Sequence, residues 1–198
     1  LSAVGQAAGT AAAMAVDKGV TPRGMNGHIK ELQQRLLLDD CYLPWVKQVM
    51  PEPTRQAGLT ASVSDPEPLR DGVSWQVGND PHCWECGAGD WAAYTFRERR
   101  NVQEVRLALD SAMEKQLVQS QHLWKNSLTR TPDAMPRDLA LEGLRGGRWE
   151  TLVTVRDNYQ RHLVIPLQAE LDGVRLLLQR TWGAHARSRV YAFYVRGT

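Results

Sequence analysis

The chain has 198 residues, enough for one large or two small domains, and its 42% hydrophobic and 23% charged residues match an ordinary globular protein. A formal net charge of +2 gives no field that would hold nucleic acid, and no apolar run reaches the roughly 20 residues of a membrane-spanning helix. Three cysteines, an odd count with a single C-x-x-C, do not make a disulfide framework, whereas seven Trp suit a sandwich core or a ligand-binding surface.

The first element is "SAVGQAAGTAAAMAV" at 2–16. It reads as a helix over 3–18, with Ser2 as N-cap, an Ala-rich interior and Gly19 as its stop. Gln6, Thr10 and the closing Asp17-Lys18 make it too short and too polar for a membrane span, and it lacks the basic start of a secretory leader. Gly5 and Gly9 lie one turn apart. That spacing permits close backbone packing, or the approach of the helix's first N–H groups to an anion or a carbonyl. Beginning at Leu1, the chain reads as a piece trimmed from something longer, and no signal fixes its localisation.

Residues 20–27 read as a loop and 28–40 as a second helix, with Ile29, Leu32, Leu36 and Leu37 on one face. "PEPTRQAG" at 51–58 has linker composition. The period then changes to alternation. Strands are expected at 73–77, 91–96, 102–109, 138–144, 148–155, 161–167, 173–182 and 188–197, with Gly, Asp or Asn in most of the gaps. The stretch 111–137 is a long connection with room for a short helix. This pattern predicts a mainly β chain: an antiparallel β-sandwich of jelly-roll type, preceded by a short α-helical segment. The division is 1–44 helical, 45–59 linker and 60–198 sandwich. The first part is too small to fold alone, so its apolar face must pack on the sandwich or on another body.

Few motifs carry chemistry. "HCWECG" at 82–87 could bind zinc or form a redox dithiol, but there is no second C-x-x-C to complete four ligands and no helix N-terminus to activate a thiol. An ordinary loop is the better reading, and no metal site is assigned. The basic "FRERRN" at 96–101 reads as a solvated turn and "DNYQRH" at 157–162 as a hairpin turn. In "TWGAHARSRVY" at 181–191, Trp182, His185 and Arg187 form a candidate ligand rim, because aromatic and Arg side chains carry recognition. No catalytic residue is assigned.

The run "GQAAGTAAAMAVDKGVTPRGMNGHIKELQQRLLLDDCYLP" at 5–44 resembles the end of the flavin domain in a family of FAD-dependent oxidoreductases, which carries a "GQAAGTAAALA" helix and a "KELQQxLLxDxxYLP" segment. The resemblance implies that Gly5, Gln6, Ala7 and Ala8 approach the FAD isoalloxazine ring in the intact protein, with Gly9 and Thr10 supporting close packing. It also implies a partner, the missing N-terminal flavin domain. The dinucleotide-binding core is absent from this sequence, so neither FAD binding nor turnover is expected of the chain alone. Residues 60–198 resemble discoidin-like, galactose-binding-like domains through "DGVSW", "DWAAYTF", "VQEVRLALD" and the closing "VRLLLQRTWGAHARSRVYAFYVRG". That likeness implies an accessory or docking sandwich or, alternatively, a module that binds carbohydrate or protein with no redox role.

Overall fold

The computed structural model describes residues 2–112 and 130–198; the part of the long connection at 113–129, where a short helix was expected, lies outside the described residues. Helix α1 runs Ser2–Lys18. It ends as the Gly predicts. Gly19 takes a φ of 62°, its N–H donates to the Val16 carbonyl and the Val20 N–H donates to Ala15, which satisfies two of the carbonyls at the helix end.

Residues 20–27, expected as a loop, instead hold most of a 3-10 helix over Pro22–His28. Thr21 Oγ1 accepts the Gly24 N–H, and Pro22 occupies a first-turn position where no N–H is needed. Helix α2 spans Ile29–Leu38. Leu32 and Leu36 are buried in it, with Met14, Ala15, Met25 and Cys41, whereas Ile29 is exposed and Leu37 only half-buried. Asp40 then adopts a left-handed φ of 58° as the residue that stops α2. Residues 45–59, read as a linker, contain helix α3, Glu52–Gln56, which packs on the sandwich, whereas Trp45 and Val49 are exposed. Buried Thr54 of α3 is a one-residue substitute for a neighbouring strand, its hydroxyl donating to the Val195 carbonyl and accepting the Val195 N–H.

Among the described residues seven antiparallel strands follow: β1 Gly58–Ala61, β2 Trp84–Cys86, β3 Trp91–Leu109, β4 Pro136–Arg145, β5 Arg148–Val155, β6 His162–Thr181 and β7 Ser188–Gly197. β3 and β6 are long because each belongs to both layers of the sandwich. The first part of β3 pairs with β1 and with residues 173–177 of β6; β6 pairs on with β4, and β4 with β5. After a register shift between Thr95 and Arg100, the second part of β3 pairs with β7 and with the start of β6, while β2 closes the other edge of β7. The basic run at 96–101, expected as a solvated turn, is instead continuous strand within β3 at this crossing, and Arg99 there pairs with Asp172 at 3.0 Å. Only Gly fits at 173, since a Cβ there would sit 2.5 Å from the Tyr94 carbonyl oxygen.

Between the layers, the Tyr94 and Phe193 rings lie 4.9 Å apart and the Tyr94 hydroxyl donates to the Phe193 carbonyl. Fully buried Trp84 donates its indole N–H to the Val63 carbonyl at 2.8 Å. The expected strand at 73–77 is not one. Among its residues only Val77 makes a bridge, to Asp80, and Trp75 lies beneath the Arg161 guanidinium at 4.0 Å.

Arg161 fastens the helices to the sandwich. Its Nε is 2.7 Å from Asp40 Oδ2, Nη1 donates to the Leu109 carbonyl and Nη2 donates to that of Ser74. Arg106 adds a bond from β3 to the Leu38 carbonyl at 2.8 Å. Polar contacts thus tie the helical part to the sandwich, while its buried apolar side chains pack in a cluster of their own.

Candidate functional site

The strands bring three loops, remote in sequence, to one end of the sandwich: 130–135, 156–161 and 182–187. Trp182 knits them together. Its backbone N–H donates to the Met135 carbonyl, its indole N–H donates to the Asn158 carbonyl at 2.6 Å, and the Arg137 guanidinium sits 4.8 Å from its ring centroid. Buried Asn158 donates in turn to the carbonyls of Pro136 and Gln160. Arg137 is held by Asp157, Nε to Oδ1 at 2.8 Å. Below them, Asp138 takes the Asp157 N–H and pairs with Arg180. Burial pushes the Asp138 carboxyl up, but that N–H and the Arg180 charge outweigh it, so the group stays below the usual carboxylate range.

Tyr159 projects from the middle loop with 74% of its surface exposed. This end thus offers one free aromatic ring, a half-buried indole and a guanidinium fixed by a carboxylate. Such a surface can stack and hydrogen-bond a polar ligand.

Of the sequence-expected rim, Trp182 lies at the centre of this constellation. His185 is exposed in its loop with a φ of 60°, and Arg187 donates to the Glu85 carbonyl at 3.3 Å on β2. Arg137, Asn158 and Tyr159 were not singled out from the sequence. The run "DNYQRH", expected as a hairpin turn, instead joins β5 to β6, which are not neighbours in the sheet, and leaves Tyr159 exposed.

The C-x-x-C thiols face opposite ways, as residues three apart near a strand do. Cys86 lies in the core with Trp84, while Cys83 packs with Ala108, Tyr191, Ala192 and Tyr194. Burial pushes Cys83 up to about 11 and Cys86 to about 12, so neither is a ready thiolate. Among the described residues no group of three or more His, Cys, Asp or Glu side chains is placed to hold a metal ion. No helix among them is long and apolar enough to cross a membrane.

On α1, Gly5, Gln6 and Ala8 are exposed, Ala7 turns toward α2, and Gln6 Nε2 reaches the Asp39 carbonyl at 3.5 Å. A Cβ at Gly5 or Gly9 would meet nothing within 4 Å. Exposed apolar side chains gather in this quarter of the chain: Val4, Val16, Ile29, Tyr42, Trp45 and Val49, with Trp45 fully exposed.

No protein-family model and no curated protein matches the sequence. Solved structures do resemble the fold. The family 32 carbohydrate-binding module from Streptococcus pneumoniae EndoD superposes with a TM-score of 0.53 at 13% identity, over 76% of this chain and 99% of that one. A chitosan-binding module from a chitosanase/glucanase of Paenibacillus sp. IK-5, in complex with chitotriose, gives 0.51 at 13% identity over 72% and 97%. The module GH31 CBM32-2 bound to GalNAc gives 0.51 at 10% identity over 72% and 99%. At these identities the likeness is one of fold, an antiparallel β-sandwich.

Proposed function

We propose that the sandwich is a carbohydrate-binding module whose ligand rests on the loop end that carries Tyr159 and Trp182. The observation that carries this reading is the exposed Tyr159 ring beside the Trp182–Arg137–Asp157 cluster, on a fold shared with modules that bind GalNAc and chitotriose. Arg137 presents a planar fork pre-set by Asp157, and sugar hydroxyls take such donors. Calorimetric titration with N-acetylgalactosamine, galactose and chitobiose tests it. At least one sugar should bind, about tenfold more weakly to Tyr159→Ala at unchanged thermal stability. Wild-type protein that binds none of them, or a Tyr159→Ala variant that binds equally well, overturns the reading.

A second reading is favoured by the uncovered small-residue face of α1 and the apolar side chains around it. Here the helical segment closes a FAD-dependent oxidoreductase domain, and the sandwich also holds that segment in place through Arg161. The residues of this chain do not by themselves fit FAD: Gly5, Gln6, Ala7 and Ala8 supply one open helix turn, and the sequence contains no phosphate-cradling G-x-G-x-x-G loop. The test is the intact gene product. Flavin absorbance that weakens in Gly5→Leu supports this reading, and a colourless intact protein overturns it.

A further inference from the structure

Four neighbouring strands each place one large polar or aromatic side chain in a row on the outer face of the sandwich: Trp91 on β3, Arg175 on β6, Glu142 on β4 and Trp149 on β5. The register sets Arg175 directly opposite Glu142 on one side and Ala93 on the other. The Arg175 guanidinium lies 4.6 Å from the Trp149 ring centroid and 5.6 Å from that of Trp91, and its Nε is 2.5 Å from Glu142 Oε2. All four are at least partly accessible, while the short side chains of Ala93 and Ala140 keep the rest of the face low. Two other indoles, those of Trp84 and Trp182, donate their N–H to backbone carbonyls. Those of Trp91 and Trp149 have no acceptor among the described residues, nor are they buried, so they remain donors to an outside group.

We infer that this row is a second sugar-contact surface, suited to an extended, uncharged oligosaccharide that stacks on Trp91 and Trp149 and gives hydroxyls to Arg175. The inference rests on the carbohydrate reading. Strands spaced by about 4.8 Å make the row about 14 Å long. The two rings, each within 6 Å of one guanidinium, suit two sugar units of one chain rather than a lone monosaccharide. Glu142 cancels the Arg175 charge, which favours a neutral chain over an anionic one. The row is built on strands, not loops, so it is rigid before the ligand arrives.

The experiment compares chitobiose with chitohexaose, both in the fully N-acetylated, neutral form, on the full chain. Trp149→Ala should weaken chitohexaose binding about tenfold and leave chitobiose binding unchanged, whereas Tyr159→Ala weakens both. Indole N–H resonances of Trp91 and Trp149 should shift with chitohexaose and stay in place with chitobiose, a readout that needs no variant to fold. Unmoved resonances, or a Trp149→Ala protein with full chitohexaose affinity, overturn this surface while the loop end stands. A wild-type protein that binds neither sugar overturns both.

Discussion

Replacing Arg161 with Met keeps most of the stem and removes the guanidinium, so it isolates what the charge holds together. Five interactions vanish at once: the 2.7 Å pair with Asp40, the bond to the Leu109 carbonyl, the bond to the Ser74 carbonyl, the 4.0 Å stack on Trp75 and the 5.0 Å contact with the Tyr191 ring. The pair is nearly dry, its side chains only 12% and 10% exposed. Leaving the Asp40 carboxylate there without a counter-charge costs on the order of 3–5 kcal/mol. Loss of the desolvated stack adds about 1–2 kcal/mol, part of which overlaps the first figure. Urea unfolding followed by Trp fluorescence should therefore show Arg161→Met destabilised by about 4 kcal/mol. Asp40→Asn alone should cost less, because it leaves the guanidinium its two carbonyls and its aromatic neighbours. The double variant should lose clearly less than the two singles together, since the second change removes a charge already orphaned. A loss under about 1 kcal/mol for Arg161→Met would place the pair with ordinary surface salt bridges and refute the reasoning.

Gly173→Ala should cost about 2–3 kcal/mol in the same assay, because its Cβ meets the Tyr94 carbonyl at 2.5 Å where β6 crosses between layers; an unchanged midpoint would show that the crossing relaxes freely. Thiol reagents should leave Cys41, Cys83 and Cys86 unlabelled in native protein and label all three in denaturant, and an oxidant should yield no Cys83–Cys86 disulfide by mass spectrometry. Burial holds His162 below the ordinary histidine value of 6.5, with Asp40 and Asp39 opposing and Arg106 and Arg161 assisting. The unfolded chain thus takes up this proton first as pH falls, so the contribution is complete above about pH 6.5 and declines below it. His162→Gln should flatten the stability profile in that acid range, and an identical slope in both proteins would count against it.

How much of this was legible in the sequence depends on where the period of a strand is kept. β4, β5 and β7 stay within one layer, so their alternation runs unbroken and their limits were read to within two residues. β3 and β6 change layers midway. At the change the buried face switches and the register slips, so each long strand reads as two short ones. β1 and β2, at four and three residues, are too short to show a period at all. The false strand at 73–77 alternates for another reason: Trp75 fills the seam under Arg161, and among the described residues no strand pairs with the segment. The site follows the same logic. Trp182 could be named from its own loop, but Arg137 and Tyr159 join it only through the sandwich's topology, which no local window contains.

The helical segment presents the reverse case, because its sequence says more than its packing uses. Leu32, Leu36, Met14 and Met25 close a small core between α1, the 3-10 helix and α2, and Asp40 and Leu38 tie that core to the sandwich. None of those contacts requires Gly5 or Gly9, which face open space, or explains the full exposure of Trp45. Helical Gly costs about 1 kcal/mol relative to Ala, and an apolar surface of this kind costs solubility. Residues that weaken a helix without serving its visible neighbours are better explained by a contact they make elsewhere. For Gly5→Ala and Gly9→Ala, this argument gives a direct expectation: each should stabilise the isolated chain by roughly 0.5–1 kcal/mol. Loss of stability in either variant would mean that the glycines already serve the fold seen here.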